Sequence, residues 1–395
     1  MSTLVVDRIG LLVTCDPGLG EGALGIVRDA ALVIEDGRVK AVERAGAAAD
    51  ERLDANGRCV IPGFVDSHTH LVFAGERGDE FAARMAGAPY EAGGIRVTTE
   101  ATRASTREEL KRLAEARQRE ALRAGITHLE IKSGYGLDVE AEQRCCEVAA
   151  ELTDDATFLG AHVVPAEYER RPDDYVELVC TDMLAACAPH VRWIDVFCEQ
   201  GAFDEEQSRA VLRAGREAGL GLRVHGNQLG PGPGVRLAVE QGAASVDHCT
   251  YLTDQDVEAL AGSDTVATFL PATDFSTRQP YPDARRAIDA GVSAAIATNC
   301  NPGSSYTTSM GFCLALAVRD MGMTTEEALA AATVGGAQAL RRTDVGRLSP
   351  GARADAAILA APSYSHLVYR PGVPLVAATL VGGEAVWVDP DAGLT

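Results

Sequence analysis

Between residues 63 and 342 the chain keeps returning to one phrase: a helical stretch, a glycine, and at once a short apolar run. Ala124-Gly125, Ala218-Gly219, Gln241-Gly242 and Ala290-Gly291 all stand at that junction. Glycine ends a helix cheaply because it enters the left-handed region, and an apolar run just beyond it reads as a strand buried on both faces. The predicted strands are Gly63–His70, Ile126–Lys132, Thr157–His162, Ile194–Cys198, Leu222–His225, Ser245–His248, Thr265–Leu270 and Ser293–Thr298. Eight βα units over this length predict an α/β fold, a (β/α)8 TIM-like barrel. An open doubly wound sheet would call for a G-x-G-x-x-G turn after its first strand, and none is there.

The two ends read differently. Ala31–Glu35 and Arg38–Val42 flank Asp36-Gly37, and Leu380–Val381 and Ala385–Val388 flank Gly382-Gly383, both hairpin signals. Cys59–Ile61 and Ala354–Leu359 add further strands. Neither end can bury a sheet face alone, so both are expected to pack together as one small β-sandwich. The expected division is residues 1–62 and 346–395 for that domain, with 63–345 forming the barrel.

Fifty-seven acidic residues against 36 basic ones give a net charge of −21. That balance excludes a nucleic-acid surface and opposes an anionic membrane. No stretch of about 18 apolar residues exists to span a bilayer, and Met1–Leu12 lacks the layout of an export signal. Ten cysteines without a C-x-x-C pair read as free thiols in a reducing compartment, which places the chain in the cytoplasm.

A barrel presents catalytic groups at the C-terminal ends of its strands. His68 and His70 end the first predicted strand, Lys132 the second with Tyr135 beyond, and His162 the third. Glu199 follows the fourth, His225 and His248 end the fifth and sixth, and Asn299 follows the eighth. Strand side chains alternate, so His68 and His70 point the same way and form a metal-ligating pair. His225 is the natural third ligand. His248 is either a further ligand or the group that takes a proton from water. Asn299 offers a carbonyl oxygen without charge where a carboxylate is usual, or else begins the turn before Pro302-Gly303. Arg77 suits bidentate carboxylate binding, with a salt bridge to Glu76, Asp79 or Glu80 as its rival. His128 and His366 end no strand and read as structural.

Several runs together are far more specific. Pro62-Gly63-Phe64-Val65-Asp66-Ser67-His68-Thr69-His70 resembles the amidohydrolase superfamily. Leu71-Val72-Phe73-Ala74-Gly75-Glu76-Arg77, Lys132-Ser133-Gly134-Tyr135-Gly136-Leu137, Gly160-Ala161-His162 with Pro165, and Asn301-Pro302-Gly303-Ser304-Ser305 resemble, within it, the imidazolonepropionase family. The resemblance implies hydrolysis of 4-imidazolone-5-propanoate to N-formimino-L-glutamate with one divalent metal ion, zinc or iron, in a homodimer. It implies His68, His70, His225 and position 299 as metal ligands, the last being aspartate in the family and asparagine here. It further implies His248 as the water-activating residue and His162 as a group that orients the ring carbonyl or stabilises its charge. Arg77 would hold the propionate, and Tyr135, His162, Gln228, Asn301, Gly303 and Ser304 would contact the ring or its product. The competing expectations are a related cyclic amide or amidine hydrolase, a heterocycle deaminase, and a homologue that binds without turnover because of Asn299.

Overall fold

The computed structural model describes residues 3–87 and 94–394. The N-terminal part supplies β1 (Thr3–Val13), β2 (Ile26–Glu35), β3 (Arg38–Arg44), β4 (Glu51–Asp54) and β5 (Cys59–Pro62). The C-terminal part supplies β14 (Ala356–Leu359), β15 (Val376–Val381) and β16 (Glu384–Val388). These eight form one mixed sheet in the order β16-β15-β14-β5-β1-β2-β3, with β4 also on β1. Antiparallel pairing of β5 with β14 joins the two ends of the chain. Val6, Leu12, Leu32, Val60, Ile358 and Leu380 share one core on this sheet, while Leu11, Val13, Ile61 and Leu359 join the core of the barrel.

Both hairpins lie where the glycine pairs put them. Asp36 and Gly37 have φ of 50° and 75°, and Gly382 and Gly383 have 57° and 81°, matching the twist that two-residue turns require. No strand is predicted over Thr3–Val13, although β1 pairs with three others, β2, β4 and β5. A register shift between Val6 and Ile9, with Arg8 at φ 50°, breaks its alternation.

The second sheet is the barrel: β6 (Phe64–Asp66), β7 (Ile126–Lys132), β8 (Asp155–Ala161), β9 (Trp193–Cys198), β10 (Gly221–Gly226), β11 (Ser245–His248), β12 (Val266–Phe269) and β13 (Ala294–Ile296). Each pairs in parallel with the next. Closure occurs beyond β6 and β13, where Thr69 bridges to Asn299. There the amide of His70 donates to the Asn299 carbonyl at 3.0 Å, and the amide of Asn299 donates to the His68 carbonyl at 3.0 Å. The helix expected from Ser105 starts at Arg107 and is capped by Thr106, whose hydroxyl accepts from the Glu109 amide at 3.2 Å while Glu109 accepts from the Thr106 amide at 2.9 Å. Ser105 instead closes the preceding helix by donating to the Ala101 carbonyl at 2.8 Å. All ten cysteines are free thiols. No described helix is long and apolar enough to cross a membrane.

At the end of the barrel away from the histidine-bearing strand ends, Asp155 gathers four donors. They are His128 Nε2 at 2.7 Å, Arg192 at 2.7 Å, Trp193 Nε1 at 2.9 Å and Arg342 at 3.1 Å. Burial alone would raise this carboxyl, but the hydrogen bonds and charge from His128, Trp193 and Arg192 hold it well below its usual range. A depressed folded value stabilises the fold above the unfolded value of about 4, and that contribution is lost as pH falls through the folded value. Asp155→Asn should therefore lower stability at neutral pH, with the gap to the parent chain closing below about pH 4. Denaturant unfolding across that range checks it; a gap independent of pH refutes the account.

Candidate active site

His68, His70 and His225 meet at the mouth of the barrel. His70 Nε2 lies 3.3 Å from His68 Nε2 and 3.4 Å from His225 Nε2. A carboxylate can only accept, so His68 donates from Nδ1 to Asp247 at 2.7 Å and His225 donates from Nδ1 to Asp195 at 3.0 Å. Both rings therefore offer a bare Nε2, the tautomer that a metal needs. Burial pushes the pKa values of His68 and His70 well down, which keeps them neutral. One ligand atom from each of the three side chains lies within 4.8 Å of the others, and no other described group of histidines, cysteines or carboxylates is arranged in this way. Three converging imidazoles, two of them oriented by carboxylates, suit a divalent metal ion.

Beneath the histidines lies a layer of buried charge. Lys132 Nζ bonds Glu130 and Asp195 at 2.8 Å each and stands 3.8 Å from Asp247. Arg223 donates to Asp247 at 3.1 Å and to the Ser67 carbonyl at 2.7 Å. Thr157 donates to Glu130, and the Thr69 amide does so at 3.2 Å. Burial would raise Asp195 and Asp247, but His225 and Lys132 lower the first, and Arg223 and Lys132 the second, so both carboxyls fall below their ordinary value. Three carboxylates face two cations here, which leaves a negative charge behind two of the histidines. That sign favours a cation in front of them.

The remaining residues surround this centre. His248 stands with its ring 5.4 Å from that of His225 and 5.6 Å from that of His68, at φ 82°, and its Nδ1 has no hydrogen bond among the described residues. It thus lies beside the three-nitrogen cluster and outside it. Asn299 has φ 71°. Its side-chain nitrogen donates to Thr273 at 2.8 Å and Ser304 at 3.0 Å, leaving a buried Oδ1 with no partner among the described residues. Asn301 Oδ1 accepts from the amides of Gly303 and Ser304 at 2.9 and 3.3 Å and shapes that loop. His162 stacks on His70 at 5.2 Å, with Tyr135 5.3 Å from His162. The Gln228 amide donates to Glu199 at 2.5 Å, and burial raises the Glu199 carboxyl.

Arg77 takes the rival arrangement anticipated from sequence. Its Nε and a terminal nitrogen bind the two oxygens of Glu80 at 2.7 and 2.8 Å. Arg84 reaches the same carboxylate at 2.8 Å and the Gly303 carbonyl at 2.9 Å. A Cβ on Gly303 would lie 2.1 Å from Arg77, so that glycine lets the loop close onto the guanidinium. His128 and His366 lie elsewhere, on Asp155 and on the Ser363 carbonyl at 3.2 Å.

Asp195, Asp247, Glu130 and Arg223 were not anticipated from sequence. Glu130 and Arg223 left a signal in their parity: each stands two residues before Lys132 or His225 and so on the same face of its strand.

Residues 201–386 match the amidohydrolase family. The imidazolonepropionase of Mycolicibacterium smegmatis is 64% identical over 389 residues, 98% of either chain. That of Streptomyces coelicolor is 60% identical over 379 residues, covering 95% of this chain and 97% of its own. Among solved structures, the atrazine chlorohydrolase of Arthrobacter aurescens, determined with zinc, superposes with a TM-score of 0.72 at 17% identity, covering 97% of this chain and 94% of its own. A guanine deaminase from C. acetobutylicum does so with 0.72 at 13% identity, covering 98% and 100%. At those identities the structural likeness speaks for the shared fold.

Lys132→Met keeps the length of the side chain and removes the only ammonium from a layer with three carboxylates. Breaking a buried pair from one side costs about 3–5 kcal/mol. Denaturant unfolding should show a loss of that order, and an unchanged midpoint would refute the role given to Lys132.

Proposed function

The chain belongs to the imidazolonepropionase family of amidohydrolases and hydrolyses the cyclic amide of 4-imidazolone-5-propanoate to N-formimino-L-glutamate, and we propose that it does so with a divalent metal held by His68, His70 and His225. The observation that carries the metal assignment is the convergence of three Nε2 atoms with two Nδ1–H groups committed to Asp247 and Asp195. Neutral nitrogen donors suit zinc or ferrous iron. Asn299 adds its unpartnered Oδ1, a neutral oxygen whose direction is fixed by Thr273 and Ser304. When bound, the metal supplies Lewis acidity and lowers the pKa of water.

The protein's own groups supply the rest. His248, kept neutral by burial, accepts the proton of the attacking water and returns one to the ring nitrogen as the carbonyl C–N bond breaks. No carboxylate at position 299 competes for that proton. Arg77 binds the propionate: Arg77 and Arg84 share the single carboxylate of Glu80, which leaves positive charge beside Gly303 and Ser304. Tyr135 and His162 face the ring from the other wall, and Gln228, Asn301, Gly303 and Ser304 complete its surroundings. The family resemblance supports a homodimer, and free, mostly buried thiols support the cytoplasm.

Three measurements test this reading. Following the loss of imidazolone absorbance, chelation should abolish ring opening and added zinc or ferrous ion should restore it; full turnover by metal-free protein would overturn the metal assignment. His248→Gln should cut kcat by about 10²–10⁴-fold with metal content unchanged. Asn299→Asp should leave kcat within about tenfold of the parent, since His248 carries the proton. The opposite ranking of the two variants would move the base to position 299, after β13.

A further inference from the structure

Glu142 is fully buried on the helix Val139–Leu152, and no step above uses it. Its Oε1 accepts from the amides of Gly136 at 2.7 Å and Leu137 at 2.8 Å, and its Oε2 from the amide of Gly134 at 3.0 Å. These three amides belong to the loop after β7 that carries Tyr135. The loop is closed on both sides. A Cβ on Gly136 would lie 2.4 Å from the Glu142 amide nitrogen, and one on Gly134 would lie 3.0 Å from His162 Nδ1. At that second contact the Gly134 carbonyl stands 2.8 Å from His162 Nδ1. A carbonyl has no proton to give, so His162 donates from Nδ1, and the neutral ring is left with a bare Nε2.

We propose that Glu142 is a positioning residue for ring opening: by holding the Gly134–Leu137 amides it fixes His162 as the Nδ1–H tautomer, whose Nε2 accepts an N–H of the imidazolone ring. The proposal rests on the reading that the barrel mouth binds that substrate. It changes the role expected for His162 from sequence, because a bare nitrogen cannot stabilise developing negative charge on the carbonyl oxygen. It also explains why a carboxylate stands at position 142. Three amide donors need an acceptor-only group, whereas the NH2 of a glutamine would face an amide N–H.

The test is ¹⁵N-histidine NMR of the zinc-loaded enzyme, with His162 assigned through its loss in His162→Gln, together with steady-state kinetics of Glu142→Gln. The parent enzyme should show His162 protonated at Nδ1 and bare at Nε2. Glu142→Gln should lose that single-tautomer signature and about 10- to 100-fold in kcat/KM, the scale of a displaced positioning group, with zinc content unchanged. A parent His162 protonated at Nε2, or a folded Glu142→Gln with parental kcat/KM, overturns the proposal. If the glutamine variant fails to fold, the tautomer in the parent enzyme decides alone. Parent enzyme that never opens the ring would instead defeat the functional reading, while the tautomer still reports on the Glu142 loop.

Discussion

Asn299 is held between His68 and His70 by two backbone hydrogen bonds, one to each, and the barrel closes through that stitch. The same contact therefore finishes the fold and sets the site. β6 and β13 end before reaching it, at Asp66 and Ile296, so the chain at closure is no longer regular strand. Freed from the ladder, it adopts the left-handed conformation at Asn299 and Cys300, as it does at His248 and Cys249 where β11 ends. Non-glycine residues pay for such dihedrals, and they persist where surrounding contacts over-determine them. Here the seam above and the charged layer below do so.

That charged layer is an unusual way to fill a barrel, which commonly packs branched apolar residues in layers. Lys132 and Arg223 are among the largest fully buried side chains in the protein. Exchanging them for apolar residues in isolation would strand carboxylates in a low-dielectric interior. Their tie to function runs through Asp195 and Asp247, each shared between a cation below and a histidine above. Stability and metal-site orientation thus depend on the same atoms. The arrangement around His162 repeats this logic with a backbone loop as intermediary: Glu142 organises amides, and a carbonyl of that loop organises the ring.

Much of this was legible in the chain. Apolar runs located all eight barrel strands, four of them just after a helix-ending glycine, because that pattern depends only on local dihedral preference and on burial of both strand faces. Asp36-Gly37 and Gly382-Gly383 located the hairpins for the same local reason. The histidines at strand ends could be grouped because a parallel barrel sends all those ends to one mouth. β1 escaped because its bulge at Arg8 removes the alternation that identifies a strand. Asp195 and Asp247 escaped because each lies one strand away from the histidine it orients or farther, and only inter-strand register brings them together.

The sequence by itself determined the architecture and the three histidines that converge, since these follow from local periodicity and from residues near the ends of predicted strands, and its motif runs carried the resemblance to the family. Only the tertiary structure decided what the polar groups do to one another. It placed His248 beside the nitrogen cluster, paired Arg77 with Glu80, left Asn299 Oδ1 without a described partner, and gave His162 a carbonyl that dictates its tautomer. The physical reason is that hydrogen-bond direction is a property of pairs. Which nitrogen donates is settled by the partner across the barrel, and that partner is chosen by register and closure, which residues adjacent in sequence do not encode.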